Sequence, residues 1–440
     1  MAKKRVIIIG AAGRDFHNFN VVFMGDESTE IVAFTAAQIP GIAGRKYPAS
    51  LAGEFYKNGI PIEDEKDLEA LIKKNNIDEC ILSYSDLSYA DVMRVGSRVM
   101  ASGAKFSMLG PDETAIKSSK PVISVLAVRT GCGKSQTTRR IVEILKEAGK
   151  KVVSVRHPMP YGDLEKQKVQ RYATLADLKK HDCTIEEMEE YEPHIDMGSV
   201  IYAGVDYGAI LSEAEKEADV IIWDGGNNDT SFYKPDFIVT VADPHRPGDE
   251  IGYYPGEVNF RMADVILINK VDSADPKNVE IIVKNAEKYN PKAKIIKAES
   301  VLKVDDPGLI KGKRVLVVED GPTLTHGGMK IGAGTVAAER NGASALVDPR
   351  AYATGAIKET FEKYKDIGIL LPAMGYGKKQ MEDLETTINK TDCDAVLVAT
   401  PIDLGRFIKI EKPSTRVRYE LSKSAKEELG ELLKAGGFIE

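Results

Sequence analysis

"AVRTGCGKSQTTRR", Ala127 to Arg140, decides the fold class. A phosphate cradle needs a strand to deliver the chain, glycines that let backbone N–H groups converge, and a helix N-terminus that adds positive potential. The sequence supplies them in that order. "VISVLAV" is a buried strand, Gly131 and Gly133 form the turn, and "SQTTRRIVEILKEAGK" is a helix ending near Gly149. The usual G-x-x-x-x-G-K-[ST] pattern is broken only at its first glycine, where Val128 stands. "RTGCGKS" aligns instead with the K-G-G-x-G-K-[ST] variant of the deviant loops. Arg129 then takes the Lys position and Thr130 the first glycine position. Thr130, Gly131, Cys132, Gly133, Lys134, Ser135 and Gln136 are the expected phosphate-binding run. Lys134 reaches the β- and γ-phosphates and Ser135 ligates Mg²⁺. Arg129 is either a second phosphate cation or a solvated arginine beside the site.

Two downstream stretches fit a nucleotide site. "DVIIWDGGNND" ends an apolar strand at Asp224, where a carboxylate holds Mg²⁺ directly or through water, and Gly225 and Gly226 allow close approach to a γ-phosphate. Asp229 is a weaker second carboxylate, and a D-G turn after a strand is the plain alternative. "ADVILINKVDSAD" carries Asn269-Lys270-Val271-Asp272, the N-K-x-D pattern. An ionised Asp272 accepts two hydrogen bonds from the N1–H and N2–H₂ edge of guanine, which adenine cannot offer. "IIKAES" follows, with Ala298 and Ser300 in reach of the base.

Working outward, short apolar runs alternate with helical patterns through much of the chain. This predicts a multidomain α/β protein: a Rossmann-like domain over 1–119, a P-loop NTPase domain with a mainly parallel sheet over 120–310, and a C-terminal α/β region over 311–440. The first block opens "RVIIIGAAGRD". Its Gly10, Gly13, Arg14 and Asp15 form a glycine turn without the full dinucleotide fingerprint, which argues against a dehydrogenase. Polar loops after strands are further candidates. Arg156 and His157 face phosphate or sit in a solvated loop. His245 and Arg246 of "ADPHRPGDE" position a substrate, stabilise transition-state charge, or make a rigid connector. Glu319, Asp320, Thr323, Thr325 and His326 of "VEDGPTLTHGG" contact substrate, bind metal or form a turn.

Composition bounds the class. The 440 residues carry a net charge of −7, which disfavours a nucleic-acid partner. The four cysteines, Cys80, Cys132, Cys183 and Cys393, form no C-x-x-C pair and suit a reducing cytoplasm. The apolar run Val6–Ile9 stops at Gly10, too short for a signal peptide, and no stretch approaches a membrane span. A cytoplasmic location without a membrane partner is the expectation, and a homodimer is a candidate assembly.

The middle block resembles a SIMIBI-class P-loop GTPase, the class of the urease and hydrogenase maturation GTPases. The whole chain, through "GAAGRDFHNFN", "RTGCGKSQTTR", "WDGGNND", "DPHRPGDE" and "EDGPTLTHGGM", resembles a prokaryotic family of GTPases named for cyclic 2,3-diphosphoglycerate synthetase. That resemblance implies NTP-driven phosphoanhydride closure on a small anionic phosphorylated acid, with Mg²⁺ and usually ATP, whereas Asp272 points to GTP. In this reading Lys134 and Arg129 neutralise phosphate, Ser135 and Asp224 hold Mg²⁺, and His245 and Arg246 position the acid. The alternative is a regulatory or metal-delivery GTPase whose hydrolysis switches conformation.

Overall fold

The computed structural model describes the chain except residues 1, 12, 38–41, 159–161, 227–228, 326–328 and 375–377. It is a mixed α/β fold of three mainly parallel sheets. In the first, Lys4–Ile9 lies between Thr29–Ala36 and Glu79–Leu82, all parallel. Apolar runs such as Val6–Ile9 are buried on both faces, as parallel strands covered by helices must be.

The central sheet has eight strands. Its spatial order is Gln170–Tyr172, Val200–Ala203, Val152–Arg156, Val220–Gly225, Val122–Ala127, Phe237–Ala242, Val265–Ile268 and Lys294–Lys297. All are parallel except the Gln170–Tyr172 edge. Chain order reverses around Val122–Ala127, which leaves a crevice at its carboxyl end. The phosphate loop occupies that crevice.

The third sheet runs Ser300–Val304, Ser414–Leu421, Ala395–Ala399, Arg314–Asp320 and Ala345–Leu346, with Leu371–Ala373 also on Arg314–Asp320. Ser300–Val304 lies before the expected junction at 310, yet it pairs antiparallel with Ser414–Leu421. The last helix, Lys423–Ala435, leaves this sheet altogether. Its Ala425, Leu429 and Leu433 join the core of the central sheet, beside Ile141, Val142 and Leu145 of the phosphate-loop helix. Arg140 of that helix donates to the Leu421 carbonyl, and Lys426 pairs with Glu143 and Glu147.

The first sheet is tied to the central one by polar contacts as well as packing. Tyr253–Tyr254 forms a two-stranded ribbon with Leu87–Ser88. Buried Arg14 donates to Asp229 Oδ1 at 2.7 Å and to Thr230 Oγ1 at 2.7 Å. No helix among the described residues is long and apolar enough to cross a membrane.

Candidate active site

The helix Lys134–Glu147 begins directly after the loop, and its first turn is set by Gly133, whose φ of +104° suits only glycine. A Cβ there would lie 2.0 Å from Asn269 Nδ2 and 2.6 Å from Gln136 Nε2. Backbone freedom and close approach therefore both require glycine at this position. Asn269 uses that space to donate to the Cys132 carbonyl at 2.9 Å. Lys270 donates to the Gly131 carbonyl and to Asp243 Oδ2, each at 2.6 Å. The N-K pair is thus a brace under the phosphate loop.

Asp243 is the hub of that brace. Burial pushes its carboxyl up, but the Lys270 ammonium and the His245 bond hold it well below the usual carboxylate range. His245 Nδ1 lies 2.9 Å from Asp243 Oδ1, and Arg246 donates to the Thr130 carbonyl at 2.7 Å. His245 and Arg246 accordingly support the loop from its side in this structure. Arg129 also turns from the phosphate position: its guanidinium meets Asp86 Oδ1 at 2.5 Å and Asp249 Oδ2 at 2.9 Å, and lies 3.6 Å over the Tyr253 ring. Thr130 donates to the other Asp86 oxygen. The first sheet's connection thus clamps the start of the loop.

Lys134, Asp224 and Arg156 form the buried centre. Lys134 Nζ lies 2.8 Å from Asp224 Oδ1 and 2.6 Å from the Asp224 carbonyl. Arg156 Nη1 lies 2.5 Å from Asp224 Oδ2, and Thr138 Oγ1 donates to Oδ1 at 2.6 Å. Burial works against the Asp224 charge, but the two cations hold its pKa far below the usual range. Burial and the neighbouring Arg156 lower that of Lys134. Arg156 ends its strand only 5% exposed, so it is a second cation beside Lys134 rather than a solvated loop residue.

Oxygen ligands for Mg²⁺ are present at Ser135. Its hydroxyl lies 3.2 Å from Glu190 Oε2, a carboxylate also paired with Arg156. Both Asp224 oxygens are already bonded to Lys134, Thr138 and Arg156. Ser135 and Glu190 therefore fit the ion better than Asp224 does in this arrangement. Glu190 belongs to the helix Ile185–Asp196, whose "IEEMEEYEPHID" reads as an acidic amphipathic face and does not single out any one carboxylate.

Gly225 has φ +60°, and Gly226 lies against His157. Asn227 and Asn228 fall outside the described residues. Asp229 belongs to the contact with Arg14, and His157 Nε2 sits 3.6 Å from Asp229 Oδ2. Burial pushes the His157 imidazole down to about 4. Asp272 accepts from the Ser300 amide at 3.0 Å and from Arg340 Nη2 at 2.9 Å. Ser300 also approaches Gln136, with Oγ 3.3 Å from Oε1, and Val271 donates to the Ala298 carbonyl.

The loop opens on a cavity of about 1150 Å³, measured with its open mouth. One wall is Thr130, Gly131 and Gly133–Gln136 with Arg156, Glu190 and Asp272. The opposite wall comes from the third sheet: Glu319 and Asp320 at the end of one strand, Gly332 and Ala333 at a helix start, and Tyr419. Glu319 Oε1 accepts from the Gly334 amide at 2.6 Å, and burial pushes this carboxyl up to about 8. Thr325 bonds the Gly321 carbonyl within its own turn. His326 falls outside the described residues, as does the Thr323 side chain.

Known proteins resemble this chain to different degrees. It is 60% identical over 432 residues to arginine synthetase ArcE of Thermococcus kodakarensis, covering 98% of this chain and 96% of that one. The cyclic 2,3-diphosphoglycerate synthetase of the same organism is a distant homologue, 24% identical over 282 residues, or 57% of this chain and 64% of that protein. No protein-family model matches. Among solved structures, LpxK from Aquifex aeolicus in complex with ATP aligns with a TM-score of 0.44 at 12% identity, over 84% of this chain and 99% of that one. The near full-length identity to the first of these decides the kinship: the chain belongs to the family of arginine synthetase ArcE.

Proposed function

We propose that this chain is an NTP-dependent, Mg²⁺-assisted synthetase that forms arginine. The observation that carries the reading is the joint cavity, in which the phosphate loop with Lys134 and Arg156 faces carboxylates of a second sheet. Its near full-length relative is named for arginine synthesis. A synthetase of this kind spends a γ-phosphoryl group to turn an oxygen of the acceptor into a leaving group. A nitrogen nucleophile then attacks that carbon, and phosphate departs with the C–O bonding electrons.

The chain's own residues serve those needs. Lys134 and Arg156 supply two positive charges where phosphoryl charge develops, preorganised by Asp224 so that little rearrangement is required. Ser135 and Glu190 would hold Mg²⁺, which when bound would supply charge neutralisation at the phosphate oxygens. The first sheet closes the loop's outer side through Asp86 and Arg129, limiting water at the reacting group. A diphosphorylated acid fits this cavity less well, because Glu190 and Asp320 line it and like charges repel.

The test is NTP-dependent arginine formation by the purified chain, with ATP and GTP in parallel and a diphosphorylated acid as the competing acceptor. Arginine formation coupled to one nucleotide is expected, and it is abolished in Lys134→Ala. Turnover that responds only to the phosphorylated acid would overturn the arginine reading. Full activity of Lys134→Ala would overturn the phosphate-loop assignment.

A further inference from the structure

The third-sheet wall of the cavity presents a carboxylate group that the nucleotide chemistry does not use. Asp320 lies at the cavity end of Arg314–Asp320, next to Glu319, and Glu189 approaches from the helix Ile185–Asp196 closely enough to share a hydrogen bond with Asp320. Glu189 and Glu319 are each 3% exposed, and among the described residues neither is ion-paired. Among the described residues Glu189 Oε1 also has no hydrogen-bond partner. Buried carboxylate oxygens are costly unless paired. The described residues therefore leave this buried acceptor unsatisfied.

We propose that Glu189 and Asp320, with Glu319 beside them, form the subsite that binds the guanidinium end of arginine. This rests on the arginine reading above. A planar guanidinium carries five N–H donors in a fixed fork and pairs with carboxylates two bonds at a time, which suits oxygens arriving from two different elements. A metal ion suits them less: no group of three or more such side chains among the described residues could hold one. Apolar atoms complete the match. Leu302, Met329, Ile331 and Val336 line the same cavity and would cover the three-methylene stem. Position supports the assignment too, since Glu190, the next residue after Glu189, contacts the Ser135 hydroxyl at the phosphate loop. The carbon of the guanidinium thus lies on the γ-phosphate side of the cavity, where a phosphoryl-activated oxygen would be displaced.

The experiment is calorimetric titration of the full chain with L-arginine, and with L-norvaline, which lacks the guanidinium, for wild type, E189Q and D320N. Nucleotide affinity is measured on the same samples. Wild type is expected to bind arginine and not norvaline. Each variant should lose more than about 30-fold in arginine affinity, the scale for removing one partner of a buried charge pair, while nucleotide affinity changes less than about twofold. Arginine affinity equal to wild type in both variants would overturn this subsite and leave the synthetase reading standing. A wild type that binds nucleotide but neither binds nor forms arginine would overturn both. Thermal melts of each variant exclude misfolding, and a D320E variant that recovers part of the affinity would separate charge recognition from a structural role.

Discussion

Replacing Asp224 by Asn removes one negative charge and keeps the shape of the side chain. In the structure that charge serves two cations, Lys134 at 2.8 Å and Arg156 at 2.5 Å, and accepts from Thr138 at 2.6 Å. Asp224 is 1%, Arg156 5% and Lys134 8% exposed, so water screens none of them well. Without the carboxylate the two cations face each other across a neutral amide. Breaking a buried ion pair from one side costs about 3–5 kcal/mol. Glu190 remains on Arg156 and absorbs part of the imbalance, so the lower end, about 3 kcal/mol, applies here. That corresponds to a shift of roughly 100-fold in the folding equilibrium.

The assay is the urea midpoint of D224N against wild type, first without nucleotide and then with saturating Mg²⁺ and inorganic pyrophosphate. Pyrophosphate brings negative charge to the same two cations and binds only the folded chain, so the gap between variant and wild type should narrow when it is added. Turnover should remain low, because Lys134 loses the group that positions it. Equal midpoints without ligand would refute the buried-pair argument. A gap that widens with pyrophosphate would refute the claim that Lys134 and Arg156 face the phosphates.

Gly133→Ala should reduce nucleotide affinity at least tenfold, since the new methyl meets Asn269 Nδ2 at 2.0 Å and φ stays at +104°. Binding within twofold of wild type, read by fluorescent-nucleotide titration, would contradict this. The double variant with Asn269→Ala should recover only part of the loss, because the backbone strain and the missing brace persist. Arg14→Ala should destabilise the chain by about 3 kcal/mol through the unpaired buried Asp229, and a denaturation midpoint equal to wild type would count against that contact. For Glu319, a pKa raised from 4.5 to about 8 means the folded chain holds a proton that the unfolded chain releases. The associated stability is full below about pH 4.5 and is lost as pH rises through 8. Glu319→Gln should flatten that slope, and identical pH profiles for variant and wild type would sink the assignment.

The sequence was most informative where chemistry demands adjacent residues. Gly131 to Ser135 form one turn, and the strand before it and helix after it follow from apolar periodicity, so the loop was legible. Asn269 and Lys270 were legible as a motif, although their bonds go to the loop backbone at Cys132 and Gly131. What stayed hidden depends on distant segments meeting. Arg129 looked like a phosphate cation because nothing near it in sequence shows Asp86, which is brought in by the first sheet. Glu190 and Glu189 were lost within an acidic helix, where a solvated face and a buried site have the same spelling. The departure of Lys423–Ala435 from the third sheet is invisible for the same reason, since amphipathic periodicity says that a helix packs and not on which sheet.

That last helix has a consequence for how the protein comes into being. The residues that complete the core around the phosphate-loop helix leave the ribosome nearly three hundred positions after the loop itself. A nascent chain of 400 residues has already made Lys134, Asp224 and Arg156 but lacks Leu429 and Leu433 to cover the helix that carries Lys134. Domains generally fold as units during synthesis, yet here the core of the central sheet stays incomplete until Lys423–Ala435 has been made. Any product that stops before this helix leaves the apolar face of Ile141, Val142 and Leu145 without its covering partner.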